Sequence, residues 1–194
     1  MKTENSEKKM SFAKRFLFSI LGILALIGMS SIISKWIPKQ GAENRIGIVE
    51  ITGLIQNSQV IVSQIKKFRE DKRIRGIVLR IDTPGGAVGP SQEIYDEVLN
   101  TRGKKVIYAS MGTLAASGGY YIASATDQIF ANAGTLTGSI GVIMAFSNVK
   151  KLMDKIGLQP EVIKAGEYKD LGSPVRDMTK KEKNLLKNVV TDVH

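Results

Sequence analysis

The stretch GIVLRIDTPGG, residues 76–86, joins an apolar strand to a glycine turn and decides the fold. Its first seven residues are mostly apolar, as in a strand that is covered on both faces of a parallel sheet. Pro84 fixes the turn, and Gly85 and Gly86 let backbone N–H groups approach whatever lies above the strand end. Two N–H groups aimed at one point are what an oxyanion hole requires. A Pro-Gly-Gly sequence on its own, however, indicates a structural turn before it indicates a functional site.

Strand-like and helix-like segments alternate on both sides of this stretch. We predict strands at 46–52, 76–82, 106–111, 128–131, 139–146 and 161–166, and helices at 58–71, 91–102, 148–156 and 180–194, with a further helix that begins near residue 117. This alternation is typical of a mostly parallel sheet with crossover helices. The sequence therefore predicts an α/β fold.

Composition excludes several classes of site. The chain has 194 residues, which suit about one folded domain. It has no Cys, so thiolate metal sites, iron–sulfur clusters and a cysteine nucleophile are excluded. The single histidine is His194, the last residue, which disfavours a mechanism with a histidine base. The sequence also lacks G-x-x-x-x-G-K-[ST] and G-x-G-x-x-G, so we expect no nucleotide-binding loop. We also expect no other cofactor and no metal.

The amino-terminal region has the pattern of a membrane anchor. Residues 16–34, FLFSILGILALIGMSSIIS, carry no charge and would span roughly 28 Å as a helix. Residues 1–45 hold 8 Lys/Arg against 3 Asp/Glu, so much of the net charge of +10 surrounds this segment and indicates a membrane rather than nucleic acid. We predict a cytoplasmic tail at 1–15, an anchor at 16–37, a linker at 38–45 and an extracytoplasmic domain at 46–194. A cleaved signal peptide and a buried helix are the alternatives.

A second glycine-rich turn holds a candidate nucleophile. In GTLAASGGYYIAS, residues 112–124, Ser117 lies between small residues at a junction of strand and helix. It suits an exposed nucleophile, and it also suits an ordinary N-cap serine, a role that is compatible with the first. With histidine disfavoured, a desolvated lysine is the base that fits. Lys169, in AGEYKDLGSP, lies in a glycine-bounded turn after an apolar run, but it also fits a solvated loop lysine between Glu167 and Asp170.

Four motifs together resemble the signal peptide peptidase A family in its short bacterial form. They are IDTPGG, AASGGYYIA, TGSIGV and GEYKDLGSP, and the resemblance runs from residue 45 to the end. It implies a role for six residues: Ser117 as nucleophile, Lys169 as general base, Ser139 as the residue that orients Lys169, and Gly86 and Gly118, with Gly85 as a further candidate, as the oxyanion hole. The family usually has Asn-Ser or Asp-Ser before Pro-Gly-Gly, whereas this chain has Asp82-Thr83.

The resemblance also implies an architecture and a function. The expected fold is the Clp protease/crotonase type, a spiral of β-β-α units, assembled into a homo-oligomeric ring. The expected activity is that of a serine endopeptidase, anchored in the cytoplasmic membrane, that degrades residual signal peptides or other apolar peptides. A non-catalytic peptide-binding scaffold and a crotonase-like acyl-CoA enzyme are the alternatives. Family members continue with a glycine-rich segment that this chain lacks, so we interpret the chain as a fragment.

Overall fold

The computed structural model describes residues 16–17, 19–24, 26–29 and 44–194. The described residues of the predicted anchor at 16–37 are helical, and their large apolar side chains are exposed. None of the helices described is long and apolar enough to cross a membrane. The predicted tail at 1–15 and the linker residues 38–43 lie outside the described residues.

Strands and helices alternate through most of the described domain, and the α/β prediction is confirmed. The strands are β1 (Arg45–Thr52), β2 (Ile74–Thr83), β3 (Val106–Ala116), β4 (Gln128–Phe130) and β5 (Leu136–Gly138). The helices are α1 (Gln59–Glu70), α2 (Val88–Thr101), α3 (Gly118–Ser124), α4 (Lys150–Lys155) and α5 (Lys180–Val193). Each of β1, β2 and β3 is followed by a helix, as expected for parallel neighbours.

The strands form one parallel sheet in the order β1-β2-β3-β4. β5 also pairs with β3, on the same side as β4 but nearer to the carboxyl end of β3. The long strand β3 pairs with β4 along Tyr108–Ser110 and with β5 along Leu114–Ala116. Since all pairs are parallel, the carboxyl ends of β2, β3 and β5 lie at the same edge. The two glycine-rich turns leave the sheet at that edge.

The core lies between the sheet and the first helices. Leu79 and Ile81 of β2 are fully buried, together with Ile65 of α1 and Ile94 of α2. Complete burial of one such side chain contributes about 1.5–3 kcal/mol relative to exposure. The apolar run of the sequence is therefore the middle of the sheet, as predicted.

Two predicted strands, 139–146 and 161–166, are wrong. Both segments are irregular, and their apolar side chains include Ile143 at 91% exposure and Ile163 at 95%. The positive φ angles of Gly138 (80°) and Ser139 (52°) turn the chain away from the line of β5, so the strand ends before Ser139. A strand also needs a neighbour for its backbone groups, and neither segment pairs with another within residues 44–194.

Thr83, the last residue of β2, holds the glycine turn to the rest of the sheet. It is fully buried. Its hydroxyl donates to the Gly53 carbonyl and accepts a hydrogen bond from the Gly85 N–H at 3.0 Å. Its methyl group lies 2.5 Å from where a Cβ on Gly119 would be, so Thr83 also sets the position of α3. One side chain therefore fixes both turns at this edge.

We expect Thr83→Val to lower the free energy of unfolding by about 1–3 kcal/mol, because it leaves the buried Gly85 N–H without a partner. Thr83→Ser keeps the hydroxyl and should cost less. Thr113→Val, at an exposed threonine of β3, is the matched control and should stay within about 0.5 kcal/mol of the parent. Urea unfolding of the three variants measures the order, and a Ser variant less stable than the Val variant would contradict it.

Candidate active site

Ser117 connects β3 to α3 with an unusual backbone. Its φ is 51° and its ψ is −120°, a conformation that costs a non-glycine residue about 1–3 kcal/mol. Two hydrogen bonds hold it: its N–H donates to the Gly138 carbonyl at 2.7 Å, and its carbonyl accepts from the Tyr121 N–H at 2.9 Å. Its side chain makes no capping bond to α3, a helix that is described in full. The structure therefore does not use this hydroxyl as an N-cap.

The Pro-Gly-Gly turn lies directly against Ser117. A Cβ on Gly85, whose φ is 95°, would be 2.7 Å from the Gly118 nitrogen and 2.8 Å from the Ser117 Cβ. On its other side the turn is held by Ile55, whose N–H donates to the Gly85 carbonyl at 2.9 Å. The Ile55 carbonyl accepts from the Ala87 N–H at 2.8 Å. Only glycine fits at residue 85, because its φ and the close approach both exclude a side chain.

Two backbone N–H groups beside Ser117 are available for a ligand. The Gly85 N–H is already bonded to the Thr83 hydroxyl. The N–H groups of Gly86 and Gly118, by contrast, donate to no acceptor among the described residues. Gly118 is the first residue of α3, where the N–H has no partner within the helix. The geometry therefore favours Gly86 over Gly85 as one donor, with Gly118 as the other.

Ser117, Gly86 and Gly118 line one cavity of about 620 Å³. Much of its wall is apolar and is formed by Leu54, Ile55, Val88, Ile140, Val142 and Ile143. Within residues 44–194, no Asp or Glu side chain lines it. Among the residues that the structure describes, no cluster of three or more His, Asp or Glu could hold a metal ion.

Residues that the motifs did not indicate complete the wall. The Ser91 hydroxyl donates to the Ala87 carbonyl at 2.9 Å and lies where a Cβ on Gly118 would be. The Tyr121 hydroxyl donates to Gln92 Oε1 at 2.7 Å, which links α3 to α2 across the cavity. No spacing rule marks the contact of Ser91 with Gly118 or that of Tyr121 with Gln92, because each joins residues that are far apart in the sequence.

The single histidine also lies at this cavity. His194 and Val193, at the end of α5, form part of its wall. The sequence disfavours His194 as a base, and its backbone N–H donates to the Val190 carbonyl at 3.2 Å as the last bond of the helix. A substitution of His194 therefore has to accompany any test of the lysine base.

Ser139 and Lys169 do not line this cavity. Ser139 is exposed and directly follows Gly138, the residue whose carbonyl holds the Ser117 N–H. Lys169 is exposed in a turn, where its N–H donates to the Gly166 carbonyl at 3.3 Å. No hydrogen bond between either side chain and Ser117 is found among the described residues. The structure thus unites the nucleophile candidate with the oxyanion glycines, and the roles of Lys169 and Ser139 stay predictions.

The turn that carries Lys169 is rich in paired charges. Hydrogen bonds from Arg176, and to a smaller extent from Lys164, hold the pKa of the Asp170 carboxyl well below its usual range. Arg176 also bonds Glu182, the buried residue that closes a capping box with Thr179 at the start of α5. These contacts from Arg176, with that of the Thr179 N–H, lower the pKa of Glu182 to about 2. Both carboxylates are therefore ionised over the whole neutral range.

Comparison with known proteins finds two matching family models and several relatives. Residues 99–194 match the sequence model of Peptidase family S49, and residues 42–137 match that of Clp protease. A Synechocystis sp. relative is 39% identical over 81% of this chain and 57% of its own length. The chloroplastic serine protease SPPA of Arabidopsis thaliana is 34% identical, over 79% of this chain and 25% of that protein. Protease 4 of Haemophilus influenzae is 33% identical, over 72% of this chain and 25% of that protein.

The matches cover the whole of the described domain between them. The Clp protease match contains both glycine turns, and the S49 match contains Ser117 and Lys169. The α/β fold is therefore Clp protease-like. The chain spans 57% of the Synechocystis relative and a quarter of the other two. The resemblance that the four motifs predicted is confirmed, and residues 99–194 of this chain match peptidase family S49.

Proposed function

We propose that this chain carries the nucleophile and oxyanion hole of a membrane-anchored serine endopeptidase with a Ser-Lys dyad. One observation carries the proposal: Ser117 is held at a strained φ of 51° beside the N–H groups of Gly86 and Gly118, which no acceptor in the described part of the chain uses. Strain of this kind concentrates at functional sites, because the surrounding structure must maintain it. A hydroxyl that does not cap its helix, next to two backbone donors, suits acyl transfer.

In this mechanism Ser117 Oγ attacks the scissile carbonyl carbon while the neutral Lys169 amine accepts the hydroxyl proton. The carbonyl oxygen becomes an oxyanion, and the N–H groups of Gly86 and Gly118 stabilise it. As the tetrahedral intermediate collapses, the C–N bond breaks and Lys169 returns the proton to the leaving amine. Water then hydrolyses the acyl-enzyme by the same steps and regenerates Ser117. Ser139 would accept a hydrogen bond from the amine and orient its lone pair.

For Lys169 and Ser139 to act on Ser117, both side chains must be brought to the cavity. We propose that assembly into a homo-oligomeric ring does this. Ile143 and Ile163 belong to apolar segments that lack a pairing partner within residues 44–194 and are more than 90% exposed. Burial of such side chains against a neighbouring subunit is favourable and would hold both segments in place.

Apolar peptides are the proposed substrates, with residual signal peptides as the main class. The wall formed by Leu54, Val88 and Ile140 suits apolar side chains. The uncharged stretch at 16–34, preceded by basic residues, would anchor the chain in the cytoplasmic membrane with the catalytic domain outside. An anchored protease meets such peptides where they leave the bilayer.

The two alternative functions differ in their support. A crotonase-like acyl-CoA enzyme needs an acidic group near the glycine hole, and no Asp or Glu side chain lines the cavity in the described residues. A non-catalytic peptide-binding scaffold is favoured by one observation, the position of Lys169 outside the cavity wall. Binding of an apolar peptide without cleavage would support the scaffold.

We expect a serine-directed phosphonate to label the full-length protein at Ser117, and Ser117→Ala to abolish both labelling and peptide cleavage. The matched control is Ser124→Ala, at an exposed serine that ends the same helix, and it should keep full labelling. Mass spectrometry of the labelled peptide locates the adduct. Undiminished labelling of the Ser117→Ala protein would remove this residue from the mechanism.

Lys169→Arg should lose activity about as fully as Lys169→Ala, by roughly 10²–10⁴-fold, because guanidinium stays protonated and accepts no proton. Lys155→Arg, at an exposed lysine in the last turn of α4, should match the parent. His194→Ala should keep the parent kcat, and any effect of its place in the cavity wall should appear in KM. Initial rates on an apolar peptide give the comparison. Near-normal turnover in the Lys169→Arg protein would show that this amine is not the base.

The topology is tested by a reporter enzyme that is active only outside the cytoplasm, fused after Arg45. We expect it to be active, because the basic residues before position 16 retain the amino terminus inside. A fusion that lacks residues 16–37 should be silent. Activity of that truncated fusion, or silence of the full one, would contradict the proposed anchor.

A further inference from the structure

Arg176 ties the turn that carries Lys169 to the start of α5. Its Nε donates to Asp170 Oδ2 at 2.6 Å, and its Nη2 donates to Asp170 Oδ1 at 2.9 Å and to the Asp170 carbonyl at 3.2 Å. The other edge of the guanidinium bonds Glu182, through Nη1 to Oε2 at 2.9 Å and Nη2 to Oε1 at 2.5 Å. Planar, two-sided bonding of this kind fixes direction as well as distance.

Arg176 and the two carboxylates that it bonds, those of Asp170 and Glu182, form a clamp. Both carboxylates are shielded from solvent and held in place. The Asp170 side chain is 13% exposed, and that of Glu182 is 5% exposed. Glu182 accepts the Thr179 N–H at 2.8 Å, and the Thr179 hydroxyl accepts the Glu182 N–H at 3.2 Å. This capping box makes Glu182 part of the α5 terminus. Arg176 therefore connects the residue next to Lys169 with a helix end.

The charges around Lys169 are arranged so that its own amine stays unpaired. The charged or titratable groups in and against its turn are Lys164, Glu167, Tyr168, Asp170, Arg176, Lys181 and Glu182. Asp170 is taken by Arg176 and Lys164, and Glu167 is taken by Lys181 at 2.8 Å. Lys181 also lies 5.4 Å from the centre of the Tyr168 ring. Among the described ion pairs, Lys169 has none, although acidic residues stand on both sides of it in the turn.

We propose that Arg176 is a positioning residue for Lys169: it fixes the turn to α5 and keeps the adjacent Asp170 carboxylate from pairing with the Lys169 amine. The inference rests on the proposed function, in which this amine acts as the base. A free carboxylate beside an amine favours the ammonium form, which accepts no proton. The clamp thus supports a base in two separable ways, through geometry and through charge.

The test uses the full-length protein and measures kcat, KM and the pH dependence of kcat/KM on an apolar peptide. Arg176→Gln should lower kcat by roughly 10- to 100-fold with little change in KM, as loss of an orienting partner does. It should also move the ascending limb of the profile to higher pH, by up to about one unit, because the Asp170 carboxylate is then paired with Lys164 alone and favours the protonated amine. A purely structural role would lower kcat without moving the limb.

Two further variants separate charge from geometry. In Arg176→Gln/Asp170→Asn the carboxylate is gone, so the limb should return towards the parent position while kcat stays low. In Arg176→Lys a cation stays near Asp170 but does not span both carboxylates, so the limb should stay near the parent position and kcat should fall.

Circular dichroism shows whether each variant folds. If Arg176→Gln does not fold, the Arg176→Lys variant decides the geometric part, and a parent-like kcat there would overturn it. Asp170→Asn alone then decides the charge part: it removes the carboxylate next to Lys169 and leaves Glu182 as the carboxylate partner of Arg176, so the limb should move to lower pH. A limb that stays at the parent position would overturn the charge part.

The matched control is Arg73→Gln, at an arginine that pairs with Asp71 at 2.8 Å between α1 and β2, away from the cavity. Its kinetics should equal those of the parent. If Lys169→Ala is fully active, the base assignment fails and this inference fails with it. If Lys169→Ala is inactive while Arg176→Gln keeps the parent kcat and limb, the proposed function stands and only the inference is overturned.

Discussion

The site depends on the close approach of two backbone turns at one edge of the sheet. Gly85 touches the peptide between Ser117 and Gly118 so closely that a Cβ there would overlap the Gly118 nitrogen. That contact exists only because β2 and β3 are parallel neighbours and end together. The strained φ of Ser117 is maintained by β5, whose last carbonyl, that of Gly138, accepts the Ser117 N–H. Three strand ends therefore determine where one hydroxyl lies.

The sheet was predictable from the sequence where apolar periodicity and burial coincide. The run at 76–82 is buried between β1 and β3, and the strand prediction there needs no knowledge of the rest of the chain. The runs at 139–146 and 161–166 have similar composition but form no strand in the described part. A sequence pattern indicates that a segment is apolar. A strand forms only where the backbone groups of a second segment lie in position to hydrogen-bond with it.

The site was likewise only partly predictable from the sequence. Glycine and serine at the ends of strands are local features, so Gly86, Ser117 and Gly118 could be named from their motifs. The role of Thr83, which holds these turns in place, could not be predicted from a motif. Its hydroxyl bonds Gly53 and Gly85, and Gly53 lies 30 residues away in the sequence. The position of Lys169 could not be predicted either, since it depends on the path of an irregular stretch rather than on any periodic pattern.

The irregular segment 139–146 nevertheless lies next to both parts of the site, the turn of Ser117 and the turn of Lys169. At one end it begins beside Gly138, which holds the backbone of Ser117. At the other end the Phe146 ring lies 2.5 Å from where a Cβ on Gly172 would be, in the same turn as Lys169. The candidate nucleophile and the candidate base are thus joined by this segment, whose residues 140–143 also line the cavity. The path of that segment, from the cavity wall at Ile143 to the turn of Lys169, therefore sets how far the two groups lie apart.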